Sequence, residues 1–440
     1  MKQWVYKRLD IAEMPPQSQS LAIRYFCLFS VQVAKIQIVT TFLVLFLLEI
    51  VTFAELGLLL AVQFAIIFLT DYPTGALGDT IGQQKVLMLA YLTQAMAILF
   101  LLGATSFTGY LPWTILAALG ASQESGALES WFDNNYRVTI GDLDSDRKVY
   151  GAFQAKILAQ WRILSGTLFI LGGVIAGVFS RRLLFTIQLG MVVIALLLIL
   201  RLMTADEKPS NPQSDAQTYQ DKLIGSLQFV ISSKGLFFLF LGLAIFWGTV
   251  AVWASLLLFP YYEGYAGTDE NTGLLRAIVF YTGILWTLYM AKIAKRITSL
   301  HRPLFLAYLM APLLLGLLFV YYEVFPPTNQ FVLATFLGLI LLWQWANIMV
   351  PLRSILQSRL LLDITPDEYR NGIYSLMPSL NVAFSVPLLI LEGFVIRYYG
   401  FAAGILFVAG LLGIGTILLG IGLYWLAKHV EPTPQSAPTS

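Results

Sequence analysis

The stretch PTGALGDTIGQQK, residues 73–85, is a glycine-rich polar interruption with one carboxylate, Asp79, set between two long apolar runs. The runs around it decide the class of the chain. Of 440 residues 58% are hydrophobic and 12% charged, and the mean hydropathy is +0.75. Soluble domains carry roughly 25% charge. Such a chain belongs in lipid, where a spanning helix needs about 20 mainly apolar residues. Twelve runs reach that length, at roughly 25–50, 55–76, 86–105, 111–132, 154–178, 183–202, 236–259, 273–293, 303–322, 330–352, 374–396 and 401–427. Each is too long and too uninterrupted for a barrel strand, which alternates over about ten residues. The expected fold is an all-α membrane protein of twelve transmembrane helices.

Basic residues orient it. With both termini inside, the cytoplasmic side receives twenty-one Lys and Arg, among them Lys2, Lys7, Arg8, Lys85, Arg137, Arg147, Lys234, Arg302, Arg353 and Lys428; the other side receives only Arg181, Arg182, Arg276 and Arg397. The positive-inside rule then gives N-in, C-in. The net charge of +2 averages over this sided distribution and says little about partners. Residues 204–222, rich in Pro, Ser, Asn and Gln, read as a solvated linker, and LIGSLQFVISSKG after it as a short amphipathic surface helix. The expected organisation is a bundle at 1–203, a cytoplasmic linker at 204–235, a second bundle at 236–430 and a disordered tail at 431–440.

Several chemistries lack their residues. Cys27 is the single cysteine, so disulfide and cysteine-metal frameworks are excluded, and His301 and His429 fall at or near cytoplasmic ends. No Walker loop is present. No cofactor, metal, nucleic-acid partner or enzymatic activity is expected. The N-terminus lacks the apolar core and cleavage site of a secretory signal, so the first helix is expected to stay attached.

Between the second and third runs, Gly75, Leu77, Asp79 and Gly82 match the signature loop of the major facilitator superfamily, whose pattern is Gly, apolar, Leu, small, Asp, basic, apolar, Gly, basic, basic. The lead-in Asp71-Tyr72-Pro73-Thr74 and the stretch SGALESWFDN, residues 125–134, resemble that family too. The resemblance implies two six-helix bundles and secondary transport by alternating access. It also implies gating residues: Gly75, Asp79 and Gly82 of the loop, with Asp79 at the N-terminus of helix eleven and a basic link to the acid ending helix four, Asp133. Thr80, Gln83 and Gln84 stand where basic residues are usual, leaving Lys85, so the latch is expected to be weaker or built from glutamine hydrogen bonds.

Charges inside apolar runs are costly, about 2.5–3.5 kcal/mol each at a helix centre. Four lie there, all in the N-terminal half: Lys35, Glu124, Glu129 and Arg162. The helix of Lys35 ascends and that of Glu124 descends, so both come to similar depth and a Lys35–Glu124 pair is geometrically possible. Glu129 lies five residues on, about 140° around a helix, so one acid is expected to meet Arg162. Glu124 is the preferred proton carrier, with Glu129 and Asp71 behind it. In the C-terminal half Trp247, Tyr281, Trp286, Trp343, Gln344, Asn347 and Asn381 are the expected substrate lining, and Pro378 and Pro387 are possible bending points.

The function expected is secondary active transport of a small organic solute, with protons as the candidate coupling ion. Proton-coupled efflux leads, because the SGALESW stretch resembles drug-efflux-like members; the fifth run, with Gly172, Gly173 and Gly177 but no proline, lacks the antiporter Gly-Pro. An uptake permease or uniporter is the alternative, and a transporter-like receptor or lipid-handling protein the alternative of another class. The expected setting is a multi-pass monomer in the plasma membrane, a bacterial inner membrane, in contact with the lipid bilayer.

Overall fold

The computed structural model describes residues 2–144, 146–203 and 219–429, and within some helices a few side chains are excepted. The tail, and residues 204–218 of the expected linker, lie outside the described residues.

The described chain is helical throughout. In order it forms α1 (Lys2–Arg8), α2 (Pro16–Thr40), α3 (Leu43–Leu48), α4 (Phe53–Ile81), α5 (Gln83–Gly103), α6 (Phe107–Glu124), α7 (Ala127–Ile140), a tight turn at Gly141–Asp144, α8 (Lys148–Val178) and α9 (Arg181–Leu202). There follow α10 (Tyr219–Ile231), α11 (Lys234–Val252), a widened π-helical turn at Trp253–Leu257, α12 (Leu258–Ala266), α13 (Asp269–Ala294), α14 (His301–Val324), α15 (Leu333–Ile364), α16 (Asp367–Tyr399) and α17 (Phe401–His429). Side-chain caps mark several starts. Thr52 and Glu55 form a reciprocal capping box at α4, and the hydroxyls of Ser106, Ser180 and Ser233 accept from the third residue on at α6, α9 and α11. Each cap satisfies an otherwise orphaned N–H and is worth about 1 kcal/mol.

Two expectations change. Among the described residues eleven helical stretches are long and apolar enough to cross a membrane, where twelve were expected. The missing one is 111–132, which is cut at Ser125–Gly126 into α6 and α7. Gly126 takes a left-handed φ of 68°, which glycine adopts without a Cβ penalty. The polar stretch 73–85 is also less of a loop than expected. Helix α4 runs through Pro73 to Ile81, and only Gly82, at φ 94°, separates it from α5. A helix satisfies its own backbone beside lipid, whereas an open turn leaves polar groups exposed.

The chain clusters into two compact units. The first comprises Met1–Ser214, Ser255–Ile284 and Pro327–Ile340. Its core holds an aromatic stack in which the rings of Tyr25 and Phe132 lie 4.3 Å apart. Its α8 and α13 approach so closely that a Cβ on Gly173 would come within 2.7 Å of the Asp269 carbonyl oxygen and 3.2 Å of Gly273 Cα. The second comprises Asp215–Ala254, Leu285–Pro326 and Leu341–Ser440. There α11 and α17 meet through small residues, and a Cβ on Gly242 would collide with the Leu419 backbone nitrogen. Small residues at both contacts let backbones pack where lipid gives no hydrophobic drive.

Candidate functional site

In the first unit Lys35 of α2 is 1% exposed, and its Nζ lies 2.7 Å from Glu124 Oε2. The same Nζ donates to Gln94 Oε1 at 2.6 Å and sits 4.4 Å from the Tyr91 ring centroid. Glu124 is held from the other side: Tyr91 Oη donates to its Oε1 at 3.2 Å and Gln94 Nε2 to its Oε2 at 2.6 Å. Gln94 Nε2 also reaches the Gly120 carbonyl oxygen at 3.2 Å. Both charges are therefore paired and hydrogen-bonded, as burial in a low-dielectric interior demands. The cluster borders a cavity of about 280 Å³ into which Gln63, Gln94 and Gln188 also converge. Geometry provides the position of Glu124, the last residue of α6 before the chain breaks at Gly126.

That break corrects the reading of the other embedded charges. Glu129 is not one turn deeper on a straight helix. It is the third residue of α7, is exposed, and faces a separate cavity of about 330 Å³ beside Tyr25, Gln154 and Trp161. A carboxylate there is favoured by the free N–H groups of the helix start. Arg162 is half-buried on α8 and forms an ion pair with neither Glu124 nor Glu129. Asp71 is exposed near the end of α4. The structure thus brings Lys35 and Glu124 together and leaves Glu129, Arg162 and Asp71 apart from them. Sequence reasoning missed Tyr91 and Gln94. Their spacing, i and i+3 in an otherwise apolar run, places both on one face and was the available signal.

The residues expected to form a gate are dispersed. Asp133 binds Arg137 at 2.8 Å and Arg147 at 3.1 Å, both from its own end of the chain, while Lys85 is exposed and pairs with neither Asp133 nor any other described acid. Gln84 Nε2 donates to the carbonyl oxygens of Ile199, at 3.4 Å, and Met203, at 3.1 Å, closing the last turn of α9. Gly82 is the break between α4 and α5; Gly75 and Asp79 lie on α4, with the Asp79 side chain outside the described residues.

An ionic cluster at another end of this unit had no sequence forecast. Arg181 opens α9 and grips Asp269 of α13 with two nitrogens, at 2.7 and 2.9 Å. It also bonds Glu263 of α12 and reaches Glu49, at 3.2 Å, after α3. Beside it Arg276 donates to Thr41 Oγ1 at 2.6 Å and lies 3.8 Å from the Phe169 ring centroid. Further along, Tyr281 Oη donates to the Ile163 carbonyl oxygen at 3.0 Å. Tyr281, an expected lining residue, is therefore part of the α8–α13 contact.

In the second unit Arg353 corrects the charge map. It was counted with the cytoplasmic residues after a run ending at 352, yet α15 continues to Ile364, and Arg353 lies inside it at 4% exposure. Its guanidinium is ringed by Phe246, Trp247 and Tyr308, with centroids at 4.7, 4.9 and 5.3 Å. One turn on, Gln357 Oε1 accepts from Trp247 Nε1 at 3.2 Å and Tyr308 Oη at 2.5 Å, fixing two of those rings. A cavity of about 110 Å³ opens beside it, lined by Trp343 and Trp253. Of the remaining expected lining, Trp286 Nε1 donates to Gln344 Oε1 at 2.9 Å, Asn347 is half-buried, and the backbone carbonyl oxygen of Asn381 accepts from Ser385 Oγ at 2.7 Å. A second embedded charge was also missed: Glu392 of α16 is 0% exposed, with no hydrogen-bond partner for either oxygen among the described residues.

The fold is that of a polytopic helical bundle, with a buried ion pair at one cavity and a buried arginine at another. The sequence profile of the Major Facilitator Superfamily matches residues 25–377, and the chain belongs to that family. Among solved structures it is similar to a point mutant of the nucleoside transporter NupG, with a TM-score of 0.70, 12% identity, and 92% of this chain and 98% of that one covered. It is also similar to the POT family transporter PepTSo, at 0.67 and 12% over 95% and 99%, and to a POT family transporter in complex with 5-aminolevulinic acid, at 0.65 and 14% over 92% and 95%. At these identities the likeness is one of fold. A search of curated proteins finds no match.

Proposed function

We propose that this protein is a secondary active transporter that moves a small organic solute by alternating access, with the Lys35–Glu124 pair as its coupling element. The carrying observation is that pair, fully buried yet bordering a cavity. A proton on Glu124 removes the charge that holds Lys35 and leaves the ammonium to Gln94 and Tyr91, so one protonation event changes how three helices are tied. A polar solute that replaces one partner has the same effect. Among similar folds one is named a nucleoside transporter and a POT family transporter is in complex with a thioalcohol-conjugated peptide, which supports a small polar organic substrate for this chain.

Under the expected N-in orientation the Arg181 cluster lies at the outer face. It ties the ends of α9, α12 and α13 in the first unit, and we read it as an outer gate in its closed state. Proton-coupled export is the leading direction; the absence of proline among Gly172, Gly173 and Gly177 of α8 favours uptake as the second reading.

The test is flux in proteoliposomes with and without a pH gradient. Glu124→Gln is expected to retain exchange of solute down its own gradient and to lose accumulation driven by protons. Undiminished proton-driven accumulation in that variant removes Glu124 from the mechanism.

A further inference from the structure

In the first unit the buried Lys35 meets Glu124, whereas Arg353 in the second unit has no counter-charge among the described residues. No carboxylate lies within 4.0 Å of it among the described residues, and its Nε has no hydrogen-bond partner. An arginine does not readily escape burial by losing its proton. Aromatic faces help, since a cation desolvated against a ring face is attracted by it. Rings, however, accept no N–H donors in the guanidinium plane, and that planar fork matches a carboxylate or phosphate.

Local construction adds to this. Gln357 holds Trp247 and Tyr308 against the guanidinium, so the rings are arranged before any ligand arrives. The open side is the cavity of about 110 Å³ walled by Trp343, Trp253 and Met349. An engineered apolar cavity of about 150 Å³ holds benzene. This cavity is smaller than that, so it takes only the compact apolar part of a small anion whose charged group meets Arg353, not a whole peptide.

We propose that Arg353 is an anion-recognition site: it binds the carboxylate, or phosphate, of a small organic anion whose apolar or aromatic part fills the Trp343–Trp253 cavity. Calling that anion the substrate rests on the transport reading above; the binding itself does not. The Lys35–Glu124 pair belongs to the other unit and serves coupling, while Arg353 sets the charge of what is bound.

The experiment uses the purified full-length chain in detergent, with no gradient, and follows tryptophan fluorescence during titration with benzoate, its neutral isostere benzamide, and inorganic phosphate. Benzoate is expected to bind at least about tenfold tighter than benzamide, Arg353→Gln to lose at least about tenfold of that affinity, and Arg353→Lys to keep part of it. Phosphate binding with the same dependence on Arg353, in place of benzoate, supports the anion site and assigns the headgroup to phosphate. Equal affinity for benzoate and benzamide, undiminished benzoate binding by Arg353→Gln, or no binding of either anion to the parent chain overturns the proposal. If Arg353→Gln does not fold, the benzoate–benzamide contrast and the lysine variant decide alone. Failure of the transport reading shows instead as absent flux with benzoate binding intact.

Discussion

Replacing the two members of the Lys35–Glu124 pair singly and together measures what burial does to them. Lys35→Met leaves Glu124 buried with donors from Tyr91 at 3.2 Å and Gln94 at 2.6 Å. Glu124→Gln leaves Lys35 with Gln94 Oε1 at 2.6 Å and the Tyr91 ring at 4.4 Å. Breaking a buried pair from one side costs about 3–5 kcal/mol, because the partner's charge stays behind. The bonds retained on each side hold both single variants to the lower end, about 3 kcal/mol each. The double variant Lys35→Met/Glu124→Gln buries no charge. Its cost is expected to be close to that of one single variant rather than the sum of about 6 kcal/mol, a coupling of about 2–3 kcal/mol. Equilibrium unfolding in mixed micelles reads all four corners of this cycle. Single-variant losses that add to within about 0.5 kcal/mol refute the reasoning, since residues without shared energetics add to that accuracy.

Other sites give sharper single readings. Gly173→Val places a side chain where a Cβ would come within 2.7 Å of the Asp269 carbonyl oxygen, so α8 and α13 must part; in a Cys27→Ser background, Thr41→Cys, buried beside Arg276, is then expected to become reactive to an impermeant maleimide, and unchanged protection counts against the close packing. Burial pushes the Asp144 carboxyl up, but N–H donors from Val149 and Tyr150 and the Tyr136 hydroxyl together hold it below the usual range. With its folded pKa depressed, Asp144 contributes stability above the unfolded value of about 3.9 and loses it as pH falls through the folded one. Asp144→Asn should therefore be less stable than the parent at pH 7, with the gap closing in acid; a gap independent of pH in thermal melts argues against the ionised form. Glu392→Leu is expected to be neutral or stabilising, since an unpartnered buried polar group costs about 1–3 kcal/mol, and a loss above about 1 kcal/mol in the unfolding assay would give that carboxyl an unseen role.

What the sequence makes legible follows from how lipid penalises polarity. Long apolar runs locate most of the helices, because each must satisfy its own backbone, and Lys35 and Glu124 stand out because neither fits lipid alone. Hydropathy fails where a helix outlasts its apolar stretch. Arg353 reads as the start of a loop because a charge ends the run at 352, but the backbone needs no apolar side chains to remain helical, and α15 continues to Ile364. The rings that shelter its guanidinium come from α11 and α14, Phe246, Trp247 and Tyr308, so no window around Arg353 contains the reason it is tolerated.

The opposite error occurs at Gly126. There an apolar run reads as one continuous span, while a single left-handed residue divides it and makes Glu129 the third residue of a new helix. Gly75, Asp79 and Gly82 were legible as a family signature, yet a signature states which residues recur and not which of them touch. Asp133 takes Arg137 and Arg147 rather than Lys85 because those arginines lie four residues along its helix and just beyond the following turn, within reach before any distant segment has to be brought in. In a membrane chain a charge inside an apolar run therefore marks either a helix end or a sheltered site. The difference is made by residues far away in sequence that supply the shelter, as Gln94 and Tyr91 do for Lys35 and three rings do for Arg353.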